Sequence, residues 1–126
     1  MKLLLDTQAF IWAGLDDSRL GEPARHALTD PANHVFVSAV TAWEIAVKAA
    51  LGRIRANPDS VADAIADGQM VELPIAIAHA SQAGRLPLHH RDPFDRMLVA
   101  QAQVEGARLV THDKAFAAYD VDVLWT

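Results

Sequence analysis

Lys2-Leu3-Leu4-Leu5-Asp6-Thr7 places three consecutive leucines directly before a carboxylate. An apolar run this short reads as a strand covered on both faces, with the acid emerging at its carboxyl end. Arg108-Leu109-Val110-Thr111-His112-Asp113 repeats the pattern about a hundred residues later. Working outward from these two runs, further strand candidates fall at 34–38, 70–73 and 121–125, beside 2–6 and 108–111. Helical spacing of apolar residues fills much of the rest, at 42–51, 61–66 and 94–104. Gly52 and Gly106 stand where those helices would end, and Pro58 and Pro93 where first-turn prolines belong. Strands joined by helix-containing crossovers give an α/β fold with a mostly parallel sheet flanked by helices on both faces.

The chain has 126 residues, 52% of them hydrophobic, which accommodates one domain spanning 1–126 with one core. With no cysteine, thiol catalysis, zinc knuckles and iron–sulfur ligation are excluded. No apolar stretch reaches membrane-spanning length and no signal-like segment follows Met1-Lys2, so a cytoplasmic protein with no membrane association is expected. Eleven basic against sixteen acidic residues give a net charge of −5, the wrong sign for a protein gripping nucleic acid by counterion release alone. That sign fits better if carboxylates gather around bound cations. Lys48, Arg53, Arg55, Arg91, Arg96, Arg108 and Lys114 could then serve phosphates, or simply be solvated surface charges.

Open α/β sheets bind ligands at the carboxyl ends of their strands, so acids there are the candidates. Asp6 and Asp113 each end a strand, and each could equally cap the helix that follows. Glu44 lies in Ser38-Ala39-Val40-Thr41-Ala42-Trp43-Glu44, at an expected helix start where Thr41-x-x-Glu44 also matches a capping box. In Asp92-Pro93-Phe94-Asp95-Arg96, Asp92 suits the cap and Asp95 the third helical position, which the helix dipole also favours for an acid. One carboxylate suffices to cap, leaving Asp95 for the pocket.

Asp6, Glu44, Asp95 and Asp113 thus share one expected edge of the sheet. Clustered carboxylates repel, and a divalent ion makes their company tolerable. An all-oxygen donor set suits Mg²⁺ or Mn²⁺, the former with metal–oxygen distances of about 2.1 Å. Such a centre hydrolyses phosphodiesters with a metal-activated water.

At these residues the chain resembles the PIN domains, and within them the VapC-type toxins of bacterial toxin–antitoxin pairs. Leu3-Leu4-Leu5-Asp6-Thr7, Val37-Ser38-Ala39-Val40-Thr41-Ala42-Trp43-Glu44-Ile45, Asp92-Pro93-Phe94-Asp95-Arg96-Met97-Leu98-Val99-Ala100-Gln101-Ala102 and Leu109-Val110-Thr111-His112-Asp113 look like that family's four acidic motifs, in order. The resemblance implies a five-stranded parallel sheet and a Mg²⁺- or Mn²⁺-dependent endoribonuclease. Asp6, Glu44, Asp95 and Asp113 would be its metal-binding, catalytic acids, with Thr111 as a polar neighbour. It also implies an RNA substrate, a homodimer and a cognate antitoxin. Asp92, Arg96 and Ser38 are auxiliary candidates.

Other signals carry less. No histidine pair has helical metal-binding spacing, and the adjacent His89 and His90 point apart. Ser38 has no Gly-x-Ser-x-Gly elbow and suits a helix cap or a donor beside the site. No Gly-rich loop supports a nucleotide cofactor. Trp12, Trp43 and Trp125 read as core or interface, and Phe10, Ile11, Leu15, Trp43, Ile45 and Val47 mostly as core, with exposed members available to a dimer or antitoxin groove. Two alternatives share the acids. A receiver-like or phosphatase-like Mg²⁺ phosphoryl-transfer domain would use a strand-end Asp, but the first strand lacks a D-x-D pattern and no strand bears a suitable lysine. A non-catalytic PIN-like binding module would have no reason to keep four mutually repelling carboxylates.

Overall fold

Leu3, Leu4 and Leu5 are fully buried, and they divide between the two sides of one sheet. Leu3 and Leu5 pack into one core with Val35, Val37 and Val110, while Leu4 enters the other with Leu109. This alternation is the period of two along a strand. The computed structural model describes residues 1–89 and 91–126; His90, adjacent to His89 in the sequence, lies outside them.

Among the described residues, five strands form the sheet: β1 (Lys2–Leu5), β2 (His34–Ser38), β3 (Val71–Leu73), β4 (Arg108–Thr111) and β5 (Val123–Trp125). Their order is β3-β2-β1-β4-β5. All neighbours run parallel, with Leu5 opposite both Val37 and Val110. The chain builds outward from β1 to β3 on one side, then returns to add β4 and β5 on the other. The order therefore reverses beside β1, which puts the crevice at the ends of β1, β2 and β4.

Among the described residues, six α-helices pack around the sheet: α1 (Thr7–Gly14), α2 (Glu22–Thr29), α3 (Ala39–Ala50), α4 (Val61–Asp67), α5 (Ile77–Arg85) and α6 (Pro93–Glu105). One core takes Ala9, Phe10 and Trp12 from α1, Ala24 from α2 and Val61 from α4. The opposite core takes Leu98, Val99, Ala100 and Ala102 from α6, with Phe116 and Tyr119. The α3 helix serves both, giving Ile45 to the first and Val40 to the second. Among the described residues, no helix is long and apolar enough to cross a membrane.

Local chemistry sets the helix ends. Asp6, Ser38 and Asp92 accept backbone N–H groups at the starts of α1, α3 and α6, and Pro93 occupies the first position of α6. Gly106 ends α6 in the left-handed conformation at φ 64°. Three expectations change. The α3 helix starts at Ala39, so the capping-box reading of Thr41-x-x-Glu44 gives way to a Ser38 cap, with Glu44 one turn further in. Leu15 and Trp43 are exposed at 70% and 55%, not core. Leu15 lies just past the last turn of α1, and the Trp43 ring rests edge-on against Phe94 at 4.8 Å. The α2 and α5 helices join the expected ones; each buries a single residue, Ala24 and His79, so their apolar period is thin.

Candidate active site

The parallel register puts Asp6 one residue beyond β1, where its N–H donates to Val110 O at 3.0 Å and its side chain clears the sheet. Asp6 is 5% exposed, and both carboxylate oxygens have donors: Ala9 N at 2.8 Å on Oδ1 and Thr111 Oγ1 at 2.5 Å on Oδ2. Burial raises its pKa above the ordinary carboxylate value; the two donors oppose that rise, and the nearby charges of Asp113 and Glu44 reinforce it. Asp6 is therefore a helix cap and a member of a carboxylate group at once.

Glu44, also 5% exposed, projects from α3 toward the same end of the sheet. Thr7 Oγ1 donates to its Oε1 at 2.6 Å, and the Thr41 hydroxyl lies 3.3 Å from that of Thr7. Lys48, one turn along α3, places Nζ 2.5 Å from Glu44 Oε2. Glu44 holds the Lys48 ammonium above its ordinary pKa, assisted at longer range by Asp92 and Asp95 and opposed by burial. Lys48 thus stands between Glu44 and the acids at the start of α6.

Asp113 is exposed and caps the 3₁₀ turn Lys114–Ala118 through Ala115 N at 2.9 Å. Its own N–H donates to Thr111 Oγ1 at 3.0 Å, so one hydroxyl connects Asp113 to Asp6. Asp92 is the cap of α6, accepting Phe94 N and Asp95 N on Oδ1. Asp95, partly buried, is the third residue of that helix.

Two auxiliary candidates, Arg96 and Ser38, also hold neighbouring elements together. The Arg96 guanidinium donates to the carbonyls of Ala83, Leu86 and Pro87, pinning the end of α5 to α6. Ser38 Oγ donates to Gln101 Oε1 at 2.5 Å beneath the site. Gln101 in turn reaches Pro74 O and lies 3.4 Å from His79 Nδ1, forming a buried polar chain under the crevice. Thr7 and Gln101 were the participants least visible beforehand. Their signals are a hydroxyl directly after a strand-end acid and a glutamine inside the apolar run Met97-Leu98-Val99-Ala100-Gln101-Ala102.

A cleft of about 550 Å³ opens beside Asp6 and Asp113, lined also by Gln8, Trp12, His112 and Lys114. The buried indole Nε1 of Trp12 has no acceptor among the described residues. Carboxylate, amide, imidazole, indole and ammonium groups on one cleft can accommodate a charged, hydrogen-bonding ligand.

The site also bears on a divalent ion. Its acids offer oxygen donors, and burial above all, with the charges of Asp113 and Glu44, raises the Asp6 pKa, a setting that suits a hard cation. Among the described residues, no three Asp, Glu or His side chains are arranged to enclose a metal as they stand. The positive charge at Glu44 is supplied instead by Lys48. The residues fit such an ion by the chemistry of their oxygen donors.

A PIN-domain family model matches residues 3–122. Among solved structures, VapBC2 from Rickettsia felis, bound to a promoter DNA fragment, is similar at TM-score 0.76 and 17% identity, covering 100% of this chain and 99% of that one. VapBC from Salmonella typhimurium, also DNA-bound, gives 0.71 and 17%, covering 98% and 97%. VapBC-5 from Mycobacterium tuberculosis gives 0.63 and 23%, covering 99% and 98%. At these identities the likeness is one of fold. No curated protein matches the chain by sequence.

Proposed function

The chain belongs to the PIN-domain family, and on that premise we propose that it is a divalent-metal-dependent endoribonuclease and the toxin of a toxin–antitoxin pair. The observation that carries the reading is the meeting of Asp6, Glu44 and Asp113 at the carboxyl end of the sheet, close enough that the latter two raise the Asp6 pKa. Family membership and the VapBC fold neighbours support the same activity, the antitoxin partner and a cytoplasmic setting.

Asp6, Glu44, Asp95 and Asp113 would hold Mg²⁺ or Mn²⁺, which supplies the positive charge that acidifies an attacking water and offsets charge developing on the phosphate. The chain's own residues do the positioning. Thr111 and the start of α1 fix the Asp6 carboxylate through both oxygens, and Thr7 fixes Glu44. Donors already set before substrate arrives need no rearrangement during reaction. Lys114 and Gln8 line the cleft where an RNA backbone would pass and can donate to phosphate oxygens. In the hydrolysis, a water oxygen would bond to phosphorus while the bond from phosphorus to the leaving ribose oxygen breaks; the water's proton passes to solvent or a carboxylate, and the leaving oxygen takes up a proton from solvent to become a hydroxyl. The exposed Trp43, Leu15, Ile77 and Leu88 are apolar surface suited to a homodimer or to the antitoxin.

The phosphoryl-acceptor alternative rests on the same strand-end Asp6, and incubation with a small phosphodonor separates the two readings, since only that alternative predicts a covalent aspartyl-phosphate. The purified chain should cleave single-stranded RNA with Mn²⁺ or Mg²⁺ and stop with chelator. Asp6→Asn and Asp95→Asn should each lose at least about a hundredfold in rate while keeping the native circular dichroism spectrum. Full activity in either folded variant would overturn the assignment.

A further inference from the structure

We propose that Lys48 is a built-in competitor for the metal: its ammonium occupies the cation position at Glu44 and withdraws when a divalent ion binds, so the chain limits its own metal affinity. The competition rests on the nuclease reading above for the premise that an ion binds at these acids.

The two partners differ in freedom. The Glu44 side chain is 6% exposed and held by the Thr7 hydroxyl, whereas that of Lys48 is 36% exposed and can swing back to water. Thr7 already donates to Glu44 Oε1, so Oε2 is the oxygen left to a cation, and that is the atom Lys48 takes at 2.5 Å. The four-residue spacing on α3 makes the contact available without strain. Asp92 and Asp95, on the neighbouring helix, add their fields to that of Glu44. One ammonium is therefore paired with Glu44 and lies in the field of two further carboxylates from the neighbouring helix.

A long, flexible, partly solvated side chain is a replaceable counter-ion. It keeps Glu44 from being buried as an uncompensated charge, which is the expensive state. A divalent ion brings twice the charge to the same oxygen, but first has to displace the ammonium. Metal affinity then reports a difference between two cations at one carboxylate.

Lys48→Met keeps the length and helix-forming tendency of the side chain and removes the charge. Calorimetric titration with Mn²⁺ should show this variant binding about fivefold tighter than the unsubstituted chain, the size expected for losing a partly exposed ion pair. In chelator it should melt below the unsubstituted chain, and saturating Mn²⁺ should close that gap. Lys48→Arg, which retains a cation, should keep the original affinity. Unchanged or weaker Mn²⁺ binding by Lys48→Met overturns the competition while leaving the nuclease reading intact. No Mn²⁺ uptake by the unsubstituted chain overturns both. A measurement without substitution guards against a misfolded variant: titrating Mg²⁺ into the native chain should move the Lys48 side-chain NMR signals toward those of a solvated lysine. Signals that stay fixed while residues around Asp6 respond would also overturn it.

Discussion

Thr111 Oγ1 donates to Asp6 Oδ2 at 2.5 Å across 105 positions of sequence, and the same oxygen accepts the N–H of Asp113. The hydroxyl fixes one acid and seats the loop bearing another. Thr111→Val keeps the shape and removes both bonds, leaving a buried carboxylate short of a donor. The expected loss is about 1–3 kcal/mol in urea unfolding. Cleavage should fall roughly 10–100-fold, the usual cost of removing a group that orients a metal-binding residue. Thr111→Ser should retain most of both, and a fully active Thr111→Val would remove Thr111 from the site.

Asp6 makes the apo protein's stability depend on pH in a stated direction. Folding raises its pKa above the ordinary value of 3.8, burial being the largest cause. A group raised on folding contributes its stability below the unfolded value, and that contribution is lost as pH climbs through the folded value. At pH 7 the ionised side chain is therefore a net cost. Asp6→Asn, still able to cap α1, should raise Tm in chelator at pH 7 by a few degrees, the size expected for about 1 kcal/mol. The gap should vanish toward acid. A lower Tm for Asp6→Asn at pH 7 in chelator would contradict this account.

His79 is 3% exposed and joins three segments. Its Nδ1 accepts the Ala76 N–H at 2.9 Å, so the proton of the neutral ring sits on Nε2, facing Glu105 Oε2 at 2.9 Å. Nitrogen NMR near neutral pH should report that Nε2–H form. His79→Ala should cost about 2–4 kcal/mol through the cavity and the orphaned N–H at the start of α5. Cleavage by the folded fraction should be unchanged, since His79 touches none of the four acids.

Gly106 at φ 64° gives a control remote from the acids. Gly106→Ala places a Cβ in the left-handed region and should cost about 1 kcal/mol by chemical denaturation, with kcat preserved. A larger drop in activity than in stability would show that the end of α6 communicates with its beginning.

Strand positions were legible because buried parallel strands have to be short and apolar, and Leu3-Leu4-Leu5 and Leu109-Val110 offer no helical period. The sequence also placed Asp6 and Asp113 just past strand ends, since a carboxylate directly after such a run has little option but to leave the sheet there. It misjudged the start of α3 because Thr41 and Glu44 imitate a capping pair, whereas Ser38, the last residue of β2, does the capping. Each acid offered a choice between capping and site chemistry. Asp6 and Asp113 each cap a turn, and the Asp113 charge reaches Asp6, so capping does not exclude either from site chemistry. The pairing of Lys48 with Glu44 follows from helical spacing but takes its meaning from Asp92 and Asp95, which only the packing of α6 beside α3 brings near. Arg96 reads as one more basic residue near the acids until its guanidinium is seen among the carbonyls of Ala83, Leu86 and Pro87.

The α3 helix sends Val40 into one hydrophobic layer and Ile45 into the other. Glu44 and Lys48 ride on a wedge gripped from above and below the sheet, so their aim relative to β1 depends on both layers keeping their thickness. Trimming a methyl group from either layer, even far from the acids, should let the wedge settle by a fraction of an ångström. Catalysis would then fade through misalignment well before the protein melts.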